Sequence, residues 1–154
     1  GVVFGILKTD GTLDKYRCKK LIDAARPMKV TCHRAFDVTR DPFEALEDCI
    51  EVGFDHILSS GQAQTALEGL SLLKELVKAA GNRISIMPGS GIHEGNAKHI
   101  VETTGVKEIH FSAKEFHSSE SQNSICFIDS LPKQTGKFLT NVEKVRTLVE
   151  LLKK

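Results

Sequence analysis

The sequence has 154 residues, which is long enough for one ordinary domain with a sizeable core. Its composition, 40% hydrophobic and 27% charged, is typical of a soluble protein and argues against a disordered or fibrous chain. The formal net charge of +1 gives no basic field for nucleic acid or an anionic membrane, no apolar run is long enough to span a bilayer, and no signal peptide is recognisable.

Five short β-rich runs follow one another along the chain, and a helical pattern succeeds each of the first four. The runs begin about 26 residues apart. This alternation predicts an α/β fold in which helices cover a parallel sheet. The runs are VVFGIL (2–7), KVTCH (29–33), DHILSS (55–60), RISIMP (83–88) and KEIHFS (107–112).

Two architectures fit this repeat, an open doubly wound sheet and a TIM (β/α)8-type barrel. The chain opens at Gly1 without an initiator Met and enters an apolar run directly, as though earlier units were missing. Three more units of the same length would complete eight. We therefore expect a single partial TIM-barrel domain over 1–154 that holds only the last five βα units.

Two of the helical patterns have readable ends. In DPFEALEDCIEVG (41–53), Asp41 is placed to cap the helix, Pro42 to occupy its first position and Gly53 to end it. Glu44 stands three residues after the cap, as in a capping box. The pattern TALEGLSLLKELVKAAG predicts a second helix over 65–81.

The last part of the chain reads differently. Residues 113–139 are serine-rich, polar and aperiodic, which predicts a long loop. The following segment, TNVEKVRTLVELLKK, predicts a C-terminal helix capped by Thr140, with Glu143 as the partner in a capping box.

Functional groups of parallel α/β folds gather where the strands end. After the fourth run, MPGSGI places Gly89, Ser90 and Gly91 before a helix, a combination that can bind an anion. After the fifth run, Ser112 opens a second turn of small residues. Together they predict a phosphate- or carboxylate-binding loop, although a plain tight turn would have the same glycines.

The second run ends at His33 and is followed by RAFD (34–37). His33 at the strand end can donate a hydrogen bond or transfer a proton, and Arg34 can clamp an anion. Alternatively, Arg34 and Asp37 form an ion pair that only orders the loop. In the fifth run, Glu108 and His110 share one face, so His110 is either a second mouth residue or a buried core histidine.

The four cysteines are scattered, a pattern that fits free thiols in the reducing cytosol. Cys32 and His33 are neighbours on a strand and point to opposite faces, so they cannot easily chelate one ion. Cys18 and Cys49 fall in helical patterns as core residues, and Cys126 falls in the polar loop. Their spacing does not predict a preformed Cu(I) site, and it leaves any metal ligands unassigned.

At VTCHRAFD, RDPFEALE, ILSSGQAQTALEGL, RISIMPGSGI and EIHFSA the sequence closely resembles the CutC family of copper homeostasis proteins. The resemblance runs from Gly1 to about residue 113 and more loosely into the final helix. It implies a TIM barrel of about 250 residues, the usual size of that fold, of which this chain would be the C-terminal five units. The family's signature residues correspond here to His33, Arg34, Asp37, Ser60, Gly61, Glu68, Gly89, Gly91, His110 and Ser112.

The resemblance also implies copper as the ligand, with Cu(I) binding reported for family members, a homo-oligomer, and a cytoplasmic location, or a nuclear one in a eukaryote. It implies no organic cofactor and no characterised enzymatic activity. This chain departs from the family at two positions. Cys32 stands where the family usually has Phe, and Ser90 stands where it usually has Gly.

Two functions follow. The first is intracellular copper handling. The second is an enzyme acting on a small phosphorylated or carboxylated metabolite, with Arg34 and the Gly89–Gly91 loop holding the anion and His33, Glu68 or His110 transferring a proton. A third reading is a truncated chain that acts only in association with intact subunits.

Overall fold

A four-stranded parallel sheet forms the centre of the fold in a computed structural model, which describes residues 1–118 and 136–153. The strands pair in chain order, which leaves β1 at an edge. They are β1 (Val2–Phe4), β2 (Val30–Cys32), β3 (His56–Ser59) and β4 (Ser85–Pro88).

Helices follow the strands, as the sequence predicts. They are α1 (Lys15–Ala25), α2 (Pro42–Val52), α3 (Leu70–Ala80) and α4 (Ala97–Thr104), with a 3-10 helix at Arg34–Val38. These elements form one compact unit, Gly1–Phe111. A second unit, Ser112–Lys154, contains the antiparallel strands β5 (Lys114–Ser118) and β6 (Gly136–Thr140) and the helix α5 (Val142–Leu152). None of the described helices has both the length and the apolar character needed to cross a membrane.

The two faces of the parallel sheet differ in burial. One face carries side chains that are almost completely buried, among them Val30, Cys32 and Ile57. The opposite face carries Thr31 and His56, which pair in register and are half-buried, whereas Val3 on β1 is 61% exposed. We call this opposite side the exposed sheet face.

Four of the five predicted strands are present, in shorter form. The fifth, 107–112, is wrong as a strand. Within this run, the N–H of His110 donates to the carbonyl of Pro88 at 2.8 Å, and no strand is formed there.

Helix α2 is confirmed at both ends. The Asp41 carboxylate accepts from the N–H groups of Phe43 and Glu44 at 2.8 and 3.1 Å. Gly53 ends the helix in the left-handed conformation, at φ 97°. Helix α3 ends before Gly81 as predicted, but it begins at Leu70 rather than at residue 65.

The C-terminal segment differs from its prediction in two respects. The two ends of the predicted 113–139 loop form the paired strands β5 and β6, while 119–135 lies outside the described residues. The cap of α5 is Asn141, not Thr140, and its side chain accepts from the N–H groups of Glu143 and Lys144. Thr140 is unavailable as a cap because it is the last residue of β6, paired with Lys114.

Candidate functional site

Asp37 organises the carboxyl ends of β2 and β3. Its side chain is 6% exposed. One carboxylate oxygen accepts from the Ser59 hydroxyl at 2.6 Å and from the N–H of Gln62 at 3.2 Å. The other accepts from Arg34 Nε at 2.7 Å and from the Ser60 hydroxyl at 3.0 Å, and the Ser60 N–H reaches both oxygens. Asp37 therefore fastens the β3–α3 loop to the 3-10 helix.

These contacts keep Asp37 ionised. Burial alone would raise its pKa. Hydrogen bonds from Ser59 and Arg34, and from the N–H groups of Ser60 and Gln62, outweigh burial and lower the pKa below the usual aspartate value. A carboxylate with this many donors is a poor general base. These contacts show that Asp37 orders the loop, and anion binding by Arg34 stays a prediction.

Arg34 is held by the same network but keeps one edge free. Its Nη2 donates to the Ser60 hydroxyl at 2.7 Å, and its side chain is 43% exposed. Among the described residues, Nη1 has no hydrogen-bond partner. The guanidinium is thus oriented by Asp37 and can still donate to an anion.

His33 is set up as a donor. Its Nδ1 accepts from the N–H of Ala35 at 3.1 Å, so the neutral ring carries its proton on Nε2. The ring packs against Gly5, where an added Cβ would lie 3.0 Å from Nδ1. Within the part of the chain that the structure describes, Nε2 has no partner.

Glu68 is engaged in local structure. Its carboxylate accepts from the N–H of Thr65 at 3.0 Å, and its own N–H donates to the Thr65 hydroxyl at 3.3 Å. This reciprocal pair has the bonding pattern of a capping box, but it closes the turn that precedes α3 and does not cap the helix, whose N-cap is Gly69. Proton transfer by Glu68 would require this box to open.

The loop Gly89–Gly91 docks on the β3–α3 loop. The Ser90 carbonyl accepts from the N–H of Ala66 at 3.0 Å, and the Ser90 hydroxyl donates to the carbonyl of Gln64 at 2.8 Å. An added Cβ on Gly89 would lie 2.6 Å from Cδ1 of Leu58, so a side chain here would make the leucine side chain shift. The N–H groups of Ser90 and Gly91 have no hydrogen-bond partner among the described residues and can donate to an anion.

Arg34 and the glycine loop contact opposite ends of one segment, residues 63–66. Arg34 Nη2 lies 3.4 Å from the carbonyl of Ala63, and Ser90 is bonded to Gln64 and Ala66. The structure thus brings Arg34, Ser60, Gly61 and the glycine loop to the same end of the sheet.

Two predicted residues remain to be placed, His110 and Ser112. His110 is exposed, not a buried core histidine, and lies beside the glycine loop, 3.5 Å from the position of a Cβ on Gly89. His33 follows β2, whereas His110 neighbours β4, so they are about three strand spacings or 14 Å apart. Ser112 belongs to the second unit, and its part in anion binding stays a prediction.

Sequence reasoning missed two residues of the network, Ser59 and Gln62. Ser59 is buried on β3, accepts from the N–H of Gly61 and donates to Asp37. Gln62 donates from its N–H to Asp37 and from its side chain to the carbonyl of Thr39. One indication of this network was present in the sequence, namely that the apolar run DHILSS (55–60) ends in two polar residues, Ser59 and Ser60.

A second polar cluster lies at the opposite end of the strands, on the exposed sheet face. The Ser85 hydroxyl donates to Glu108 at 2.6 Å, and His56 Nε2 is 3.4 Å from the same carboxylate oxygen. Nδ1 of His56 is buried and has no partner among the described residues. This cluster is remote from the strand ends where the predicted site lies.

The described part of the chain contains no group of three or more His, Cys, Asp or Glu side chains arranged to hold a metal ion. Cys18, Cys32 and Cys49 are free and buried. Cys126 lies outside the described residues.

The protein has a parallel sheet covered by helices, and polar side chains gather at the carboxyl ends of its strands. This arrangement is typical of α/β proteins that bind or convert small ligands. Comparison with known sequences is more specific. The sequence model of the CutC family matches residues 1–115, and the chain belongs to the CutC family.

Two relatives and one solved structure illustrate the similarity. A CutC protein from Treponema denticola is 47% identical over 156 residues, covering 99% of this chain and 63% of the relative. The human copper homeostasis protein cutC homolog is 42% identical over 157 residues, covering 99% of this chain and 58% of the relative. A crystal structure of a Streptococcus agalactiae CutC protein matches with a TM-score of 0.66 at 33% identity, covering 70% of this chain and 53% of that one. The chain thus spans little more than half the length of these proteins.

Proposed function

We propose that the protein takes part in copper homeostasis and binds Cu(I). The observation that carries this proposal is membership of the CutC family across residues 1–115, together with the name of the human relative, copper homeostasis protein cutC homolog. The described cysteines are free thiols. Thiolates are soft ligands, which bind Cu(I) in preference to harder metal ions.

The test is an anaerobic titration of the reduced protein with Cu(I) in competition with a Cu(I)-specific chelator. We expect one Cu(I) per chain, and no comparable binding of Mg²⁺ under the same conditions. A protein that removes no Cu(I) from the chelator would contradict the proposal.

We further propose that the chain supplies five βα units of a TIM (β/α)8-type barrel, that it forms homo-oligomers and that it works in the cytoplasm. The in-order parallel pairing of β1 to β4 supports the barrel, because consecutive neighbours are what barrel strands require. The backbone bond from His110 to Pro88 supports 107–112 as the fifth unit. Multi-angle light scattering and cell fractionation test the oligomer and the location.

A second function, an enzyme acting on a small phosphorylated or carboxylated metabolite, is favoured by one observation. Arg34 is fixed by Asp37 through Nε and retains a free Nη1, and the N–H groups of Ser90 and Gly91 are open at the same end of the sheet. His33 Nε2 would supply the proton, as general acid.

Inorganic phosphate is the probe for this site, followed by nuclear magnetic resonance. We expect Arg34→Ala to abolish the shifts that phosphate causes at Ser90 and Gly91, and Arg34→Lys to weaken them, because a lysine cannot form the same fork. Arg40→Ala is the matched control, since Arg40 is also exposed and paired with a carboxylate, that of Glu44 at 2.9 Å. Equal shifts in the parent and Arg34→Ala would exclude Arg34 as the anion clamp.

A further inference from the structure

Two groups of hydrogen-bond donors lie at the carboxyl end of the parallel sheet, one after β2 and one after β4. After β2, Arg34 Nη1 has no partner among the described residues, and neither has Nε2 of His33, whose Nδ1 accepts from the N–H of Ala35. After β4, the N–H groups of Ser90 and Gly91 have no partner within the same residues. Each group by itself can donate to an anion.

The β3–α3 loop holds these two groups apart. Arg34 is tied to the beginning of this loop, because its Nη2 donates to the Ser60 hydroxyl at 2.7 Å. Ser90 is tied further along the same loop, to the carbonyl of Gln64 at 2.8 Å and to the N–H of Ala66 at 3.0 Å. Neither residue can move towards the other without breaking these bonds, so the two groups of donors cannot close on one small anion.

The spacing of the strands sets the distance between the two groups. Strand β3 lies between β2 and β4 in the sheet, so the ends of β2 and β4 are two strand spacings or about 10 Å apart. A single phosphate or carboxylate is much smaller than this and reaches one group at a time. An extended chain advances about 1.2 Å per bond, so two anionic centres about eight bonds apart would reach both groups.

The surface between the two groups is apolar. Leu58 on β3 and Met87 on β4 pair in register and are half-buried. They lie on the exposed sheet face, since they stand two residues after His56 and Ser85 on their strands. Cδ1 of Leu58 lies 2.6 Å from the position of a Cβ on Gly89, so the leucine directly borders the glycine loop. Such a surface suits the carbon chain of a ligand rather than a further charge.

We propose that this end of the sheet binds a linear metabolite that carries an anionic group at each end. Arg34 and His33 hold one anion, and the N–H groups of Ser90 and Gly91 hold the other. The inference rests on the second proposed function, anion binding at this site, and adds that the ligand has two anions separated by a carbon chain. Phosphate esters and carboxylates both fit this description, because both accept hydrogen bonds from a guanidinium group and from backbone N–H groups.

The experiment compares probes in matched pairs. Hexane-1,6-diyl bisphosphate carries a phosphate at each end, and hexyl phosphate carries a phosphate at one end only. Octanedioate and octanoate are the corresponding carboxylates. The lengths of the bisphosphate and the dicarboxylate lie on either side of the expected separation of about eight bonds. Each probe is titrated into the parent protein, and nuclear magnetic resonance follows the amide signals of Ser90 and Gly91 and the Nε–H signal of Arg34.

We expect a two-ended probe to bind the parent at least about 100-fold more tightly than its one-ended partner, because the second anion binds intramolecularly. The signals of Arg34 and of the glycine loop should then titrate together, and the pair that shows the gain distinguishes phosphate from carboxylate. In Arg34→Ala the gain should fall to about twofold, since only one of the two groups of donors remains. Arg40→Ala, which removes an exposed arginine paired with Glu44, should retain the full gain.

The decisive comparison uses the parent alone, so it does not depend on the folding of Arg34→Ala. One-ended and two-ended probes that shift Ser90 and Gly91 with equal affinity would overturn this inference and leave anion binding at the site standing. A gain that survives in Arg34→Ala would also overturn it, because the second anion would then be bound elsewhere. If no probe changes the spectrum of the parent, both this inference and the proposed anion binding are wrong.

Discussion

Ser90 occupies a backbone conformation that favours glycine. Its φ of 83° lies in the left-handed region, where a side chain is strained by about 1 kcal/mol. Its hydroxyl compensates by donating to the carbonyl of Gln64 at 2.8 Å. A side chain in this left-handed conformation is therefore accommodated by one hydrogen bond.

The expected consequence is an asymmetry between two substitutions at residue 90. Ser90→Ala keeps the strain and loses the hydrogen bond, so it should lower the free energy of unfolding by about 1 kcal/mol. Ser90→Gly loses the bond but relieves the strain, and should be nearly neutral. Urea unfolding measures both, and an alanine variant as stable as the glycine variant would contradict this account.

The lowered pKa of Asp37 makes the stability of the protein depend on pH. Because its folded-state pKa is lowered, the carboxylate stabilises the protein above the ordinary aspartate pKa, and this stabilisation is lost as the pH falls through the folded-state value. Asp37→Asn should cost about 2 kcal/mol near neutral pH, with the difference from the parent shrinking towards about pH 3.

The control for this prediction is Asp23→Asn. Asp23 is 58% exposed and pairs with Lys19 on the surface, so its removal should change the free energy of unfolding little at any pH. If Asp37→Asn lowered the free energy of unfolding equally at neutral pH and at about pH 3, ionisation of Asp37 would not contribute to stability.

At the scale of elements, α2 shows how much a short segment can specify by itself. The sequence predicted its cap, its proline and its terminal glycine, because each acts within a few residues. Helix α3 could not be predicted in the same way. The helix begins at Leu70 and not at Thr65. The preceding residue, Gly69, packs against the carbonyl oxygen of Ser60, and an added Cβ on Gly69 would lie 1.9 Å from that oxygen. That packing involves two segments whose proximity no local pattern reveals.

The cap of α2 supplies a prediction at this scale. Asp41→Ala removes acceptors for the N–H groups of Phe43 and Glu44 and should cost about 1 kcal/mol, whereas Asp41→Asn should cost much less, because asparagine caps equally well. Thermal unfolding followed by circular dichroism measures the difference. An asparagine variant as unstable as the alanine variant would mean that charge, not capping, matters at this position.

For the whole molecule, periodicity predicted the α/β class and the parallel sheet. The rule that functional groups gather where parallel strands end pointed to Arg34 and Asp37. It did not point to Ser59, because the partner of Ser59 is Asp37, 22 residues away in the chain. Contacts between distant segments set the limit of what the sequence could predict.

Because β1 lies at an edge of the sheet, we expect it to promote association of the chain in solution. Within residues 1–118 and 136–153, one side of β1 has no partner strand and Val3 is 61% exposed, and an edge strand of this kind favours pairing with another chain. Val3→Lys places a charge on this edge and should reduce concentration-dependent association in light scattering, without changing the helix content.

Val38→Lys is the matched control for this prediction. Val38 is a valine with 71% exposure and is the last residue of the 3-10 helix, so it is not part of a strand. Association that falls equally in both variants would reflect net charge rather than the edge of the sheet.

The loop after β3 has neither helical nor strand hydrogen bonds, yet its successive amides at Ser60, Gly61 and Gln62 all donate to oxygens of Ser59 or Asp37. These amides can exchange with deuterated solvent only when the contacts open. They should exchange as slowly as amides in a strand, even though the loop has the backbone of a surface turn. Their exchange rate is thus a direct probe of whether Arg34 is still held in place, with or without a ligand.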